Sequence, residues 1–253
     1  MKSLIIIIIM IILFSFSINS AEPSSIKLNK MGYEKYKNSD YEGALILFED
    51  SIKSDPDYAL PYYNAACTIG VMAKEHKFDY PEEIEFKEKG LAYLSKAIKL
   101  KPEYIENAKK DNDFEKYRNE IEYYNILRYN SSNMEELKEV LLNVRIWEVS
   151  EDNDQSYDKN YTIVRFGKDD NVFIPNYFFE TKYDISAITK GKYVLIKEKD
   201  CITVKITMEK EKNGSKILHG KFNEKFHLII NNFSTKEPQT VFYPRSIYMR
   251  FQI

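Results

Sequence analysis

The side chains in this chain best suited to hold a metal or attack a substrate are three histidines and two cysteines, and their spacing suits neither task. His76, His219 and His227 have no H-x-x-x-H or C-x-x-C partner, the spacings from which metal ligands converge. His219 and His227 fall on the two strands of one expected hairpin, where a surface or hydrogen-bonded imidazole is the ordinary outcome. Cys67 and Cys201 belong to different expected domains and read as two separately buried thiols; a disulfide, the alternative, would staple the domains together. Asp169 with Asp170, and Glu82 with Glu83, sit in turn and loop contexts where solvated charge is the default. No G-x-S-x-G, Walker loop or G-x-G-x-x-G occurs. The expectation is no catalytic residue, no metal ligand and no cofactor. What the chain does carry is aromatic, with 20 Tyr and 15 Phe against 1 Trp, and such side chains bury large areas while keeping a polar tip.

The elements that position these rings begin with KMGYEKYKNSDYEGALILFEDSIKSDPDY, Lys30 to Tyr58. Gly32 has no side chain to hold a crossing helix away, and Ala44 is its small partner. Tyr41 and Phe48 lie seven apart, two helical turns on one face, and fill the space the small residues leave. Asn38, Ser39 and Asp40 interrupt the periodicity with cap and turn formers, so the two helices run antiparallel. Pro56 ends the second helix. A stretched copy follows. ALPYYNAACTIG, Ala59 to Gly70, reads as its first helix and GLAYLSKAIKLKPEY, Gly90 to Tyr104, as its second. The charged surplus KEHKFDYPEEIEFK, Lys74 to Lys87, either extends a helix or forms a surface loop.

Gly32, Tyr36, Tyr41, Ala44, Phe48 and Pro56 give the unit its resemblance to a tetratricopeptide repeat, whose period is about 34 residues. ENAKKDNDFEKYRNEIEYYNIL, Glu106 to Leu127, resembles the capping helices that close such arrays, with Phe114, Tyr117, Ile121 and Leu127 as covering residues. The resemblance implies a protein or peptide partner on the concave face lined by first helices. It places Asn29, Tyr33 and Tyr36 there from the first repeat, and Tyr63, Asn64 and Cys67 from the second. Repeats that clamp a chaperone tail's terminal carboxylate carry Lys and Asn on the first helix. Asn29 and Tyr33 stand in those places, so a carboxylate partner is not predicted.

Near residue 143 the apolar period changes from helical to alternating. Met134, Leu137, Val140 and Leu141 keep helical spacing, and from Val144 onward short alternating runs follow. In CITVKITM, Cys201 to Met208, Ile202, Val204, Ile206 and Met208 share one face, a strand with one wet side. Similar runs start at Val144, Tyr161, Val172, Lys192, Lys216, Lys225 and Ser246, about eight strands joined by turns at Lys168 to Asn171, Glu198 to Asp200, Asn213-Gly214 and Asn223-Glu224. Such a meander forms a barrel or a sandwich. The strand carrying Trp147, the strand ending FGKDD, the GKY strand and the hairpin pair resemble a lipocalin-like or calycin barrel, which implies a small apolar ligand inside the β domain as the alternative function. Runs this short do not suit a membrane-spanning barrel, which needs strands of about 9 to 11 residues.

Lys2, the apolar stretch Leu4 to Phe14 and the small residues Ser15, Ser17, Ser20 and Ala21 compose a cleavable secretory leader, too short to span a bilayer. The expected location is therefore outside the cytoplasm, periplasmic or secreted, with a bacterial cell envelope favoured and no stable membrane span after cleavage. A formal charge of -2 suggests neither a nucleic-acid partner nor an anionic membrane surface. Four sequons, at Asn130, Asn160, Asn213 and Asn232, matter only in a eukaryotic host. The expected architecture is α+β in two domains after a leader over 1–21: a helical repeat array over 22–130 and an antiparallel β domain over 131–253.

Overall fold

Ser24 and Asp40 start the first helical pair. The Ser24 Oγ accepts the Lys27 N–H at the head of α1 (Ser25–Lys37), and the Asp40 carboxylate accepts the Gly43 N–H at the head of α2 (Tyr41–Ser54). The computed structural model from which this geometry is read describes residues 24–75, 80–144, 146–148, 161–177, 188–208, 217–231 and 239–244. Ser39, at φ 59, makes the reversal between the two helices. They cross where a Cβ on Gly32 would stand 2.7 Å from the Phe48 ring, so the glycine is what admits that ring. The side of α1 bearing Lys27, Met31, Glu34 and Lys35 is exposed and mostly charged.

The second pair is α3 (Ala59–Lys74) and α4 (Tyr80–Leu100). Of the two options for the charged surplus, the structure takes helix from Tyr80 onward, adding turns at the start of α4. The extension is used. Lys87 is buried, and its ammonium pairs with Glu83 at 3.1 Å and with Glu120, also buried, at 3.3 Å. Glu120 precedes α6 (Ile121–Ile126), so this pair ties the long helix to the segment that closes the array. Between them lie α5 (Tyr104–Lys110) and a 3-10 turn (Asn112–Tyr117). Phe114 and Tyr117 are wholly buried, and the Tyr117 hydroxyl donates to the Ala66 carbonyl at 3.0 Å. At Gly70 a Cβ would sit 2.1 Å from the Asp113 carbonyl oxygen, so the turn lies directly on the backbone of α3. The helices end with α7 (Met134–Val144), and strands begin at Ile146.

Among the described residues, eight antiparallel strands then close on themselves in sequence order: β1 (Ile146–Glu148), β2 (Tyr161–Phe166), β3 (Asn171–Tyr177), β4 (Ile188–Lys197), β5 (Ile202–Met208), β6 (Ile217–Phe222), β7 (Leu228–Asn231) and β8 (Gln239–Pro244). The first and last pair through Trp147 with Pro244 and Glu148 with Tyr243. The fold is thus a helical N-terminal region followed by an antiparallel β barrel. Alternation on β5 is as the apolar pattern requires, with Ile202, Val204, Ile206 and Met208 buried. Buried rings pack together in the interior, edge to face except for the tilted Phe166–Phe222 pair. Trp147 meets Phe166 at 5.2 Å, and Phe166 meets Tyr193 at 5.0 Å and Phe222 at 6.2 Å.

The short turns β2–β3, β4–β5 and β6–β7 lie at the barrel end where the helices enter. There the Trp147 Nε1–H donates to the Phe226 carbonyl at 2.9 Å, the Lys197 ammonium donates to the Ser132 carbonyl, and the Ser132 hydroxyl donates to the Asp200 carbonyl at 3.4 Å. Buried residues of both halves, Val144 and Trp147 among them, belong to one core cluster. Strand β8 was not among the expected runs. The leader, His76, the Asn213-Gly214 turn, the run at 246–253 and the sequons at Asn160, Asn213 and Asn232 lie outside the described residues. Among the described residues no helix is long and apolar enough to cross a membrane.

Candidate functional site

The face expected to meet a partner is built by α1 and α3, which lie side by side. The Asn64 Nδ2–H donates to the Asn29 Oδ1 at 3.0 Å across them. Asn29 is buried, and the contact fixes their relative register. Two turns further along α1, Tyr36 lies 5.5 Å from Tyr41, edge to face, and 6.3 Å from Tyr33, nearly parallel. On α3, Tyr63 packs against Tyr104 at 4.7 Å and against the edge of Phe114 at 5.5 Å.

Two carboxylates from the segment after α5 reach into this floor. The Tyr36 hydroxyl donates to Asp113 Oδ2 at 2.6 Å, and the Tyr63 hydroxyl donates to Asp111 Oδ2 at 2.9 Å. The Cys67 thiol points at the same Asp111 oxygen, 3.7 Å away, while Asp111 Oδ1 takes the Asp113 N–H at 3.1 Å. Burial, reinforced by the neighbouring carboxylates, pushes the Tyr36 and Tyr63 hydroxyls and the Cys67 thiol well above their ordinary values. All three therefore stay protonated and act as donors, and Cys67 is a poor nucleophile. Desolvation raises the Asp113 carboxyl and the nearby Asp111 charge adds to it; the Tyr36 hydrogen bond and, more weakly, Lys74 oppose the shift. Lys74 itself pairs with Glu115 at 2.6 Å.

Ligand atoms of Cys67, Asp111 and Asp113 come within 4.8 Å of one another, a spacing that a metal ion could bridge. The thiol would have to ionise to bind it, which burial opposes, and a carboxylate oxygen of each Asp already accepts a tyrosine hydrogen bond. The arrangement is a hydrogen-bond network that locks α1 and α3 onto the closing segment.

The structure thus brings Asn29, Tyr36, Tyr63 and Asn64 together and turns their polar atoms toward one another or toward Asp111 and Asp113. Tyr33 differs. It is 48% exposed, and Ile26, two turns away on the same side of α1, is 69% exposed. Asp111 and Asp113 were missed because KKDNDF reads as a polar break between helices, and only the fold reveals tyrosines above it. The two histidines of the β6–β7 hairpin do not meet: His219 pairs across the sheet with Lys205, while the His227 ring packs on Tyr243 at 4.7 Å. Cys67 and Cys201 are both free thiols, the second beside Glu198 at 3.7 Å.

Comparison of the chain with protein-family models, with curated proteins and with solved structures finds no match in any of the three.

Proposed function

We propose that this chain is an exported adaptor whose helical half, built of two tetratricopeptide-like repeats and a closing segment, binds a protein or peptide through α1 and the flank of the α1–α3 face. The observation that carries this reading is the solvent-facing pair Ile26 and Tyr33, set beside a tyrosine–carboxylate floor that holds the backbone beneath it rigid. Tyrosine suits such a place because it offers area with few rotors to freeze, and a pre-organised floor lowers the ordering cost of binding. Tyr36, Tyr63, Asn29 and Asn64 serve this reading as supports for the surface, and Tyr33 as its anchor. The ring cluster around Trp147 and Phe166 fills the end of the barrel next to the helices, which leaves a small apolar molecule less of the interior.

The test is site-specific photocrosslinking in the producing cell, with a benzophenone side chain at position 33 and, as control, at position 53 on the far end of α2. A discrete adduct from position 33, absent from position 53 and lost in an Ile26→Ser background, is expected. Equal or absent adducts at the two positions refute the reading.

A further inference from the structure

Over β2 to β6 the described wall of the barrel is charged in one sense only. Strands β2 to β6 contain Arg165, Lys190, Lys192, Lys197, Lys205 and Lys221 and not one Asp or Glu, although acidic residues outnumber basic ones in the whole chain, 39 to 37. On the helices, by contrast, several cations are neutralised where they stand, among them Lys35 by Asp40, Lys53 by Asp50 and Lys89 by Glu49. Among the described residues, Arg165, Lys190, Lys192, Lys205 and Lys221 form no ion pair; the Lys192 ammonium donates to the Asp169 backbone carbonyl. Among the described residues, the acids next to these strands lie in turns, at Asp169, Asp170, Glu198, Asp200 and Glu224.

Register sorts the wall further. Outward positions of β4, β5 and β6 form three cross-strand rows: Lys192, Thr207, Ile217; Val194, Lys205, His219; and Ile196, Thr203, Lys221. Each row holds one lysine and one β-branched aliphatic side chain. Those aliphatic residues are left in water, Val194 58%, Ile217 48% and Ile196 42% exposed. A soluble polyanion would satisfy the lysines and leave the aliphatic groups wet. A surface with charged headgroups above a hydrocarbon layer satisfies both, because lysine can hold its charge in the headgroups while its stem and its neighbours enter the apolar zone.

We propose that the outer face of β4–β6 docks on the surface of an anionic lipid bilayer, with Lys192, Lys205 and Lys221 meeting headgroups and Val194, Ile196 and Ile217 entering the interface. The face is separate from the α1 surface, so the adaptor reading can fail without touching it.

The experiment is co-sedimentation of the full chain with phosphatidylcholine vesicles, with and without phosphatidylglycerol. The leader's affinity for lipid is common to every variant and to neutral vesicles, so the readout is the increment that the anionic lipid adds. That increment is expected to shrink with added salt, and in Lys192→Gln/Lys205→Gln/Lys221→Gln to fall by about a hundredfold, at roughly fivefold for each basic residue near the surface. Val194→Ser/Ile196→Ser/Ile217→Ser should also lose most of it. A control with the same change of net charge, Lys27→Gln/Lys30→Gln/Lys138→Gln, should keep it, and circular dichroism confirms that each variant is folded. The proposal is overturned if wild type gains nothing from the anionic lipid, or if the control triple loses as much as the strand triple. It is equally overturned if the serine triple binds like wild type, which would assign the face to a soluble polyanion.

Discussion

Tyr123 and Phe166 are both buried rings, one in each half of the molecule, and they are held by different means. The Tyr123 hydroxyl, pushed up to about 12 mainly by burial, donates to the Ala108 carbonyl at 2.8 Å. Around it Tyr36, Tyr63, Tyr93, Tyr117, Tyr124 and Tyr129 each donate to a carboxylate or a carbonyl. Phe166 has no such handle and packs among the rings of Trp147, Tyr193 and Phe222. The helical half is therefore specified by which polar atom meets which, and the barrel by complementary shape. A polar lock resists substitution of either partner, because the atom left behind is desolvated, whereas a shape-packed core tolerates exchanges that conserve volume.

The strongest way to break this contrast is at the buried ion pair. Lys87→Met strands Glu120 away from water without that cation and should cost about 3–5 kcal/mol in denaturant unfolding, while Lys87→Met/Glu120→Met should recover most of the loss. If the double variant is no better than the single, the pair is not the lock it is taken for. A smaller effect, about 1–3 kcal/mol, is expected for Tyr63→Phe, which takes one donor from a half-buried carboxylate. Combined with Asp111→Asn, the two costs should fall short of additive, since both act on one network.

Acid should separate the halves most finely, through two groups shifted in opposite senses. Burial, with Lys225 adding to it, lowers His227, so the neutral ring favours the fold above the ordinary histidine value and that contribution drains away as pH falls below it. Asp113 is raised, so its charge weakens the fold at neutral pH and the penalty lifts as pH falls through its folded value toward the ordinary carboxylate range. Hydrogen exchange followed downward from neutral pH should show strand amides beside His227 loosening first, in wild type and not in His227→Phe. Amides around Asp113 should show no matching loss of protection.

Much of the architecture was legible in local pattern. Gly32, Ala44, Phe48 and Pro56 specify a helical pair because close packing and helix termination leave few alternatives, and Ile202 to Met208 specify a strand because burial alternates. Strand β8 was not legible, since Pro238 and Pro244 bracket its five remaining residues and proline normally argues against a ladder strand. The chemistry of the α1–α3 floor was hidden for another reason. Tyr36 and Asp113 are 77 residues apart, and Lys87 and Glu120 are 33 apart, separations at which pairing depends on the finished fold.

Because the chain's 1 tryptophan is the wholly buried Trp147 of β1, while the rings of the helical half are tyrosine and phenylalanine, nature has built in two separate optical channels. Light absorbed at the red edge, where only indole responds, reports on the barrel by itself. Emission excited through tyrosine adds the helices, so the order in which the two regions come apart can be watched in the unlabelled protein.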